Sequence, residues 1–173
     1  KITILDQAPS YEDFKKDYIS KNKPLLIKGG ASHWTAMDWT FDLLKDRAGD
    51  IQVEILDERD KNSNFELEKR KHAKMITMTA FIDRIVSSNA SNDFYMTAHN
   101  AKHVTKNLIQ LTEDYGDIGN GYLDMSREAI LQRSSFWMGP EGTKTPLHYD
   151  RMNNIFVQLY GKKRVQLVPP FQL

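Results

Sequence analysis

One histidine and one aspartate near the end of the chain have the residue types and the spacing of metal ligands. His148 and Asp150 lie at positions i and i+2, and in a strand such residues project from the same face. One extended segment could therefore point a nitrogen and an oxygen at the same ion. With one more histidine they would complete the facial triad, which leaves open positions on Fe(II) for substrate and oxygen. The spacing thus predicts two of the three ligands of such a site.

The pair taken alone is weak evidence for a metal site. The chain has five histidines and 23 acidic residues, so a His-x-Asp or His-x-Glu triplet arises by chance roughly half the time. A hydrogen-bonded pair at the surface is the simpler explanation of the triplet by itself. The chain has no cysteine, so any metal must be held by histidine and carboxylate groups. The absence of cysteine also fits a reducing compartment.

The pattern of apolar residues predicts the elements that would position these side chains. After residue 133 it favours short strands at 134–138, 145–150, 154–159 and 163–168. Earlier in the chain it favours three helices and a brief fourth one, at 10–19, 40–49, 77–86 and 127–132. The predicted N-caps of the first three are Ser10, Thr40 and either Thr77 or Thr79. Further strands are predicted at 1–5, 23–28, 51–56 and 93–98, of which 23–28 has the pattern of a buried strand. Helices precede the main run of strands, so we expect an α+β fold with a curled sheet.

The bulk composition limits the classes of function. A chain of 173 residues is long enough for one domain with a real core. The formal net charge of +1 gives no argument for a nucleic-acid partner or an anionic membrane. No apolar run approaches the roughly 20 residues that span a bilayer. Residues 57–74 are highly charged, and we interpret them as a solvated loop, with a mobile lid over a substrate as the alternative.

A longer pattern surrounds the histidine and aspartate. Residues 136–150 read Phe-Trp-Met-Gly-Pro-Glu-Gly-Thr-Lys-Thr-Pro-Leu-His-Tyr-Asp, and residues 153–164 read Asn-Asn-Ile-Phe-Val-Gln-Leu-Tyr-Gly-Lys-Lys-Arg. This pattern resembles the Jumonji-C, or cupin-like, dioxygenases that depend on Fe(II) and 2-oxoglutarate. Its closest resemblance is to the branch that contains the asparaginyl hydroxylase of hypoxia-inducible factor. The match is strong over 134–170 and looser over 24–29, 34–44 and 94–95.

The resemblance implies a role for six residues. His148 and Asp150 match two iron ligands. Lys163 matches the lysine that holds the distal carboxylate of 2-oxoglutarate, and three further residues match polar groups near the same cosubstrate: Thr145, Asn154 and Tyr95. A buried dicarboxylate does need a cation and neutral donors. Without the resemblance, Lys163 would be interpreted as one of three exposed basic residues after a turn.

The resemblance also implies a reaction. Fe(II), 2-oxoglutarate and O2 together would hydroxylate a C–H bond of a protein side chain, with release of succinate and CO2. Demethylation of methyl-lysine is the alternative within the family, and a non-catalytic cupin-like binding module is an alternative of another class. We therefore expect a protein or peptide partner, no membrane, and a cytoplasmic or nuclear location. A nucleic-acid substrate is not favoured, and a homodimer is left open.

The sequence departs from the family at its end. The family's second histidine ligand lies downstream of the His-x-Asp, but no histidine follows His148 here. We therefore expect a single domain, with helices and strands in 1–132 and the start of a double-stranded β-helix, or jelly roll, in 133–173, incomplete at its C-terminus. His99 and His103 share the four-residue spacing that can bind zinc, although the segment has a poor helical pattern.

Overall fold

The computed structural model describes residues 2–65, 67–99, 103–117 and 121–169, with only the main chain at 98, 99 and 103–107. These residues divide into two compact units. Unit 1 is drawn from 1–38, 114–126 and 152–173, and unit 2 from 39–113 and 127–151.

A small parallel sheet and one α-helix form the first part of unit 1. Strand β1 (Thr3–Leu5) pairs with β2 (Leu25–Ile27), so Thr3 lies opposite Leu25. Helix α1 (Tyr11–Phe14) continues as a π-helix over Lys15–Ile19. Its predicted cap is confirmed, since Ser10 Oγ accepts from the Asp13 N–H at 3.1 Å. The prediction that 23–28 is a buried strand is only half right, because Leu26 remains 46% exposed in a sheet of two strands.

Unit 2 is built on a four-stranded antiparallel sheet. Its strands are β3 (Gln52–Leu56), β4 (Ala73–Thr77), β5 (Tyr95–His99) and β6 (Ser135–Met138), in the order β4-β3-β5-β6. Three of these strands were predicted from the sequence. The fourth, β4, lies at the end of the charged stretch that we expected to be a loop, and it pairs along the whole of β3.

Helices supply the rest of the core of unit 2. Helices α2 (Phe41–Ala48) and α4 (Met78–Ser87) are capped by Thr40, as predicted, and by Thr77, one of the two threonines predicted for that cap. Helices α3 (Lys69–His72) and α5 (Arg127–Arg133) are short, and 3₁₀ helices cover Thr35–Asp38 in unit 1, and Arg59–Lys61 and most of His103–Asp114 in unit 2. The core joins side chains of α2 and α4 to those of the sheet and of the last 3₁₀ helix: Leu44, Ala48, Val53, Ile55, Met78, Phe81, Ile82, Phe94, Met96, Leu108 and Leu111. The predicted α+β class is confirmed.

The three strands predicted between residues 145 and 168 are not formed. In the part of 139–169 that the structure describes in full, no strand is present, so the predictions for 145–150, 154–159 and 163–168 are wrong as strands here. Apolar side chains of this stretch are exposed, including Leu147, Tyr149, Phe156 and Tyr160. Alternation of side chains specifies which residues share a face, but a strand also needs hydrogen bonds to a neighbouring strand.

None of the helices in the described ranges is long and apolar enough to cross a bilayer.

Candidate functional site

The predicted ligand pair lies at the end of unit 2. His148 Nε2 and Asp150 Oδ2 are 3.9 Å apart, and both side chains are more than half exposed. Divalent ions bind histidine nitrogen and carboxylate oxygen at about 2.0–2.2 Å, so two ligands of one ion lie at most about 4.3 Å apart. The separation of 3.9 Å is within the reach of one ion.

The histidine ring is oriented by the main chain. His148 Nδ1 lies 2.8 Å from the carbonyl oxygen of Pro146. A carbonyl only accepts hydrogen bonds, so Nδ1 must carry the proton, and in the neutral ring Nε2 then has the free lone pair. A metal-binding histidine needs this arrangement, with one nitrogen on the metal and the other donating to a carbonyl or carboxylate. The donor set present therefore fits a metal that takes one nitrogen and one oxygen from this segment.

A tight turn precedes the ligand pair. The Ser91 N–H donates to the carbonyl of Glu141 at 2.6 Å. Gly142 has φ +90, which favours glycine, and a Cβ there would lie 3.2 Å from Ser91 N. A close approach to the loop before β5 thus explains the glycine at position 142.

Tyr95 and Thr145 are the other predicted site residues in unit 2. Tyr95 is buried in β5, with its ring centroid 5.5 Å from that of Trp137 on β6. A Cβ at Gly139 would lie 2.6 Å from Cδ2 of this tyrosine, so Tyr95 packs against the start of the same turn. Thr145 is exposed, three residues before His148.

Asn154 and Lys163 belong to unit 1. Both are exposed, and Lys163 Nζ lies 5.4 Å from the centroid of the Phe156 ring. The structure thus brings His148 and Asp150 together, and it holds Tyr95 against the turn that leads to them. Their assignment as ligands and cosubstrate contacts stays a prediction.

A third ligand is not present in the parts of the chain described. No group of three or more histidine, cysteine, aspartate or glutamate side chains there is arranged to hold an ion. The predicted alternative pair, His99 and His103, lies outside the residues whose side chains the structure describes.

Two buried charges of unit 2 were not predicted from the sequence. Asp57 accepts from Arg84 Nη2 at 2.7 Å and Lys74 Nζ at 3.0 Å. Burial by itself raises the pKa of Asp57, but the hydrogen bonds from these two cations and from the Glu58 N–H lower it to about 2. Arg59, only 2% exposed, is the second buried charge.

A signal for both was present in the sequence. Burial alternates along Val53, Ile55, Asp57 and Arg59, which is the period of a strand face continued past the end of β3. The total charge of 57–74 favoured a solvated loop, but Asp57 and Arg59 keep the two-residue spacing of Val53 and Ile55 beyond the end of β3, and that spacing was the better guide.

Comparison with known proteins adds a family-level match. A family model described as a cupin-like domain matches residues 11–173. JmjC domain-containing protein D from Dictyostelium discoideum is 30% identical over 188 aligned positions, covering 98% of this chain and 40% of that protein. Lysine-specific demethylase 8 from Danio rerio is 30% identical over 169 positions, covering 94% of this chain and 39% of that protein.

A more distant relative has a different activity in its name. The human bifunctional peptidase and (3S)-lysyl hydroxylase JMJD7 is 20% identical over 180 positions, covering 98% of this chain and 54% of that protein. The chain spans about two-fifths of the length of the first two relatives.

Proposed function

Because the chain belongs to the cupin-like domain family, we propose that it is a Jumonji-C-type oxygenase domain that hydroxylates a side chain of a protein substrate. The observation that carries the proposal is the ligand pair. His148 Nε2 is 3.9 Å from Asp150 Oδ2, and the Pro146 carbonyl leaves that nitrogen free to bind a metal. The sequence resemblance matches the same two residues to the His-x-Asp of the family motif.

His148 and Asp150 would hold Fe(II) from one side. Both are exposed here, so the ion could bind without displacing a packed side chain. With only two ligands from this segment we expect weak affinity, because a facial triad needs three protein ligands. The third ligand would come from outside the described residues.

The cosubstrate residues would neutralise and orient 2-oxoglutarate. Lys163 would form an ion pair with its distal carboxylate, and the Thr145 hydroxyl would donate to the same group. Asn154 and the Tyr95 hydroxyl would add neutral hydrogen bonds. Iron and 2-oxoglutarate, when bound with O2, supply the oxidising chemistry that converts a substrate C–H to C–OH and 2-oxoglutarate to succinate and CO2.

The substrate side chain is a finer part of the proposal. Resemblance to the asparaginyl hydroxylase branch favours hydroxylation, and an asparagine target stays a prediction. Demethylation of methyl-lysine is the second candidate, and the observation that favours it is the 30% identity to a protein named as a lysine-specific demethylase. A protein or peptide partner, a homodimer and a cytoplasmic or nuclear location also stay predictions.

The test is calorimetric titration of the purified chain with Mn(II), followed by 2-oxoglutarate. Mn(II) stands in for Fe(II) without turnover. We expect 2-oxoglutarate to bind only after the metal. His148→Ala and Asp150→Ala should abolish metal binding, and Lys163→Ala should abolish binding of 2-oxoglutarate while the metal still binds.

Matched controls separate these effects from general damage. His33→Ala removes another histidine, and Lys162→Ala removes the neighbouring exposed lysine; both should bind as the wild type does. Metal binding that survives His148→Ala contradicts the proposed site. Ordered binding without succinate release or O2 uptake in the presence of Fe(II) would instead support a non-catalytic binding module.

A further inference from the structure

The main chain of Lys144, just before the candidate site, is held from both sides by side chains. Its N–H donates to Asn92 Oδ1 at 2.7 Å. Its carbonyl accepts from Arg59 Nη2 at 2.6 Å. A main-chain N–H can only donate, so the Asn92 atom it meets must be the amide oxygen. All three residues belong to unit 2, and Arg59 is 85 positions away from Lys144 in sequence.

Arg59 is held firmly enough to act as an anchor. Its side chain is buried, and its guanidinium carbon lies 4.4 Å from the centroid of the Phe65 ring and 5.4 Å from that of Tyr95. Its own N–H donates to the carbonyl of Asp93 at 2.9 Å. A planar guanidinium can stack on aromatic faces and still donate at its edge, so one residue can join the ring of Tyr95 to the carbonyl of Lys144.

Asn92 is held by Asp60, the residue next to Arg59. Its Nδ2 donates to Asp60 Oδ1 at 3.3 Å, and the Asp60 N–H donates to Asp93 Oδ1 at 3.2 Å. The two side chains that hydrogen-bond to Lys144 therefore belong to segments 59–60 and 92–93. These two segments are also hydrogen-bonded to each other.

The link from Lys144 to His148 is short and stiff. Pro146 has a fixed φ, and a residue before proline, here Thr145, is restricted to extended conformations. The carbonyl of Pro146 in turn accepts from His148 Nδ1. Fixing the peptide groups of Lys144 thus limits where the imidazole can lie.

We propose that Arg59 and Asn92 are positioning residues, a clamp on Lys144 that sets the main chain carrying Thr145, His148 and Asp150. The role in metal binding rests on the proposed function, whereas the clamp itself does not. Neither residue would touch the metal or the cosubstrate; each acts through the peptide groups of Lys144.

The first arm of the test measures the clamp by amide hydrogen exchange, which requires no metal. In Asn92→Ala the amide of Lys144 loses its acceptor, and we expect it to exchange about threefold to tenfold faster. Arg59→Lys keeps the charge but loses the planar group, and it should speed amide exchange at Lys144. Amides of β3 should keep the wild-type rate, since a merely destabilised fold would speed them equally.

The second arm measures the affinity for Mn(II). We expect Asn92→Ala and Arg59→Lys to weaken it about threefold to tenfold. Asp60→Ala removes the other partner of Asn92 but leaves the bond to Lys144, so it should weaken the affinity less than Asn92→Ala does. The double variant Asp60→Asn, Asn92→Asp keeps both hydrogen bonds and the net charge. It should therefore show the wild-type rate of amide exchange at Lys144 and the wild-type affinity for Mn(II).

The two arms distinguish the possible failures. Unchanged exchange at Lys144 in Asn92→Ala overturns the clamp, and this variant decides the matter even if Arg59→Lys does not fold. Faster exchange with unchanged Mn(II) affinity overturns the positioning role. A wild-type chain that does not bind Mn(II) overturns the proposed function and with it the role in metal binding, while exchange at Lys144 still supports or overturns the clamp.

Discussion

The four-stranded sheet of unit 2 and the stretch 145–169 have similarly apolar sequences but different structures. In the sheet, Val53, Ile55 and Met96 are at most 1% exposed. In the later stretch, Leu147 is 76% and Phe156 57% exposed, and no strand is present where the structure describes it. The contrast matters because the second stretch carries most of the residues assigned to metal and cosubstrate.

The difference shows what alternation of apolar residues can and cannot specify. Each strand of unit 2 has a neighbour whose main chain completes its hydrogen bonds, as β3 has in β4 and β5. The later stretch has the same alternation without such a neighbour among the described residues. A strand therefore needs a second segment to pair with, and the alternation of apolar residues does not identify that segment.

The largest expected effect is in the core. Phe81 is fully buried in α4 and meets the Phe94 ring edge to face at 6.0 Å. Phe81→Ala should lower the free energy of unfolding by about 3–5 kcal/mol, because it leaves a cavity. Urea denaturation measures this change. Val86→Ala, in the same helix but 65% exposed, is the control and should change it by no more than about 0.5 kcal/mol.

A smaller effect is expected from the buried charge that sequence reasoning missed. The hydrogen bonds of Asp57 to Arg84 and Lys74 lower its pKa from 3.8 to about 2. A difference of nearly two pKa units corresponds to roughly 2 kcal/mol of stability. Because the pKa is lowered on folding, this stability is present above about pH 4 and is lost as the pH falls towards 2.

Asp57→Asn tests whether the stability from this carboxylate is lost as the pH falls. Urea denaturation between pH 2 and 7 should show the variant roughly 2 kcal/mol less stable than the wild type at neutral pH, with the gap closing as the pH falls from 4 to 2. A gap that is constant over this range would mean that Asp57 is not ionised against its two cations in the folded chain.

Much of the framework could be predicted from local signals. Ser10, Thr40 and either Thr77 or Thr79 were predicted as helix caps, and the side-chain oxygens of Ser10, Thr40 and Thr77 do accept an N–H three residues on. Alternation predicted β3, and the family expected from 134–170 is confirmed by the match over 11–173. Within the four-stranded sheet, only β4 was missed. Pairing with β3 forms this strand, whereas the charged residues before it and Lys74 within it favour a loop.

The site could be predicted only in part. The spacing of His148 and Asp150 predicted that these two side chains point in the same direction and lie within reach of one ion. The carbonyl of Pro146 that fixes the ring tautomer, and the side chains that hold Lys144, depend on contacts between distant segments. Arg59 and Lys144 are 85 residues apart, and nothing local to either residue indicates that they meet.

Loss of a helix cap should lower the free energy of unfolding less than loss of a core residue or of a buried charge. Thr77 Oγ1 accepts from the Ala80 N–H at 3.2 Å at the start of α4. Thr77→Ala should lower the free energy of unfolding by about 1 kcal/mol, and Thr77→Ser, which keeps the acceptor, by less. Equal losses in the two variants would show that the methyl group of Thr77, rather than the cap, stabilises the helix.

The smallest effect is expected in the stretch that has no strand partner. Phe156 lies in the predicted strand 154–159, but it is 57% exposed, and Lys163 Nζ is 5.4 Å from its ring. Phe156→Ala should therefore change the free energy of unfolding by no more than about 0.5 kcal/mol, against 3–5 kcal/mol for Phe81→Ala. A loss above about 2 kcal/mol in urea denaturation would mean that Phe156 is buried in solution. In that case the strand predicted over 154–159 would be paired there, and the contrast between the two regions would disappear.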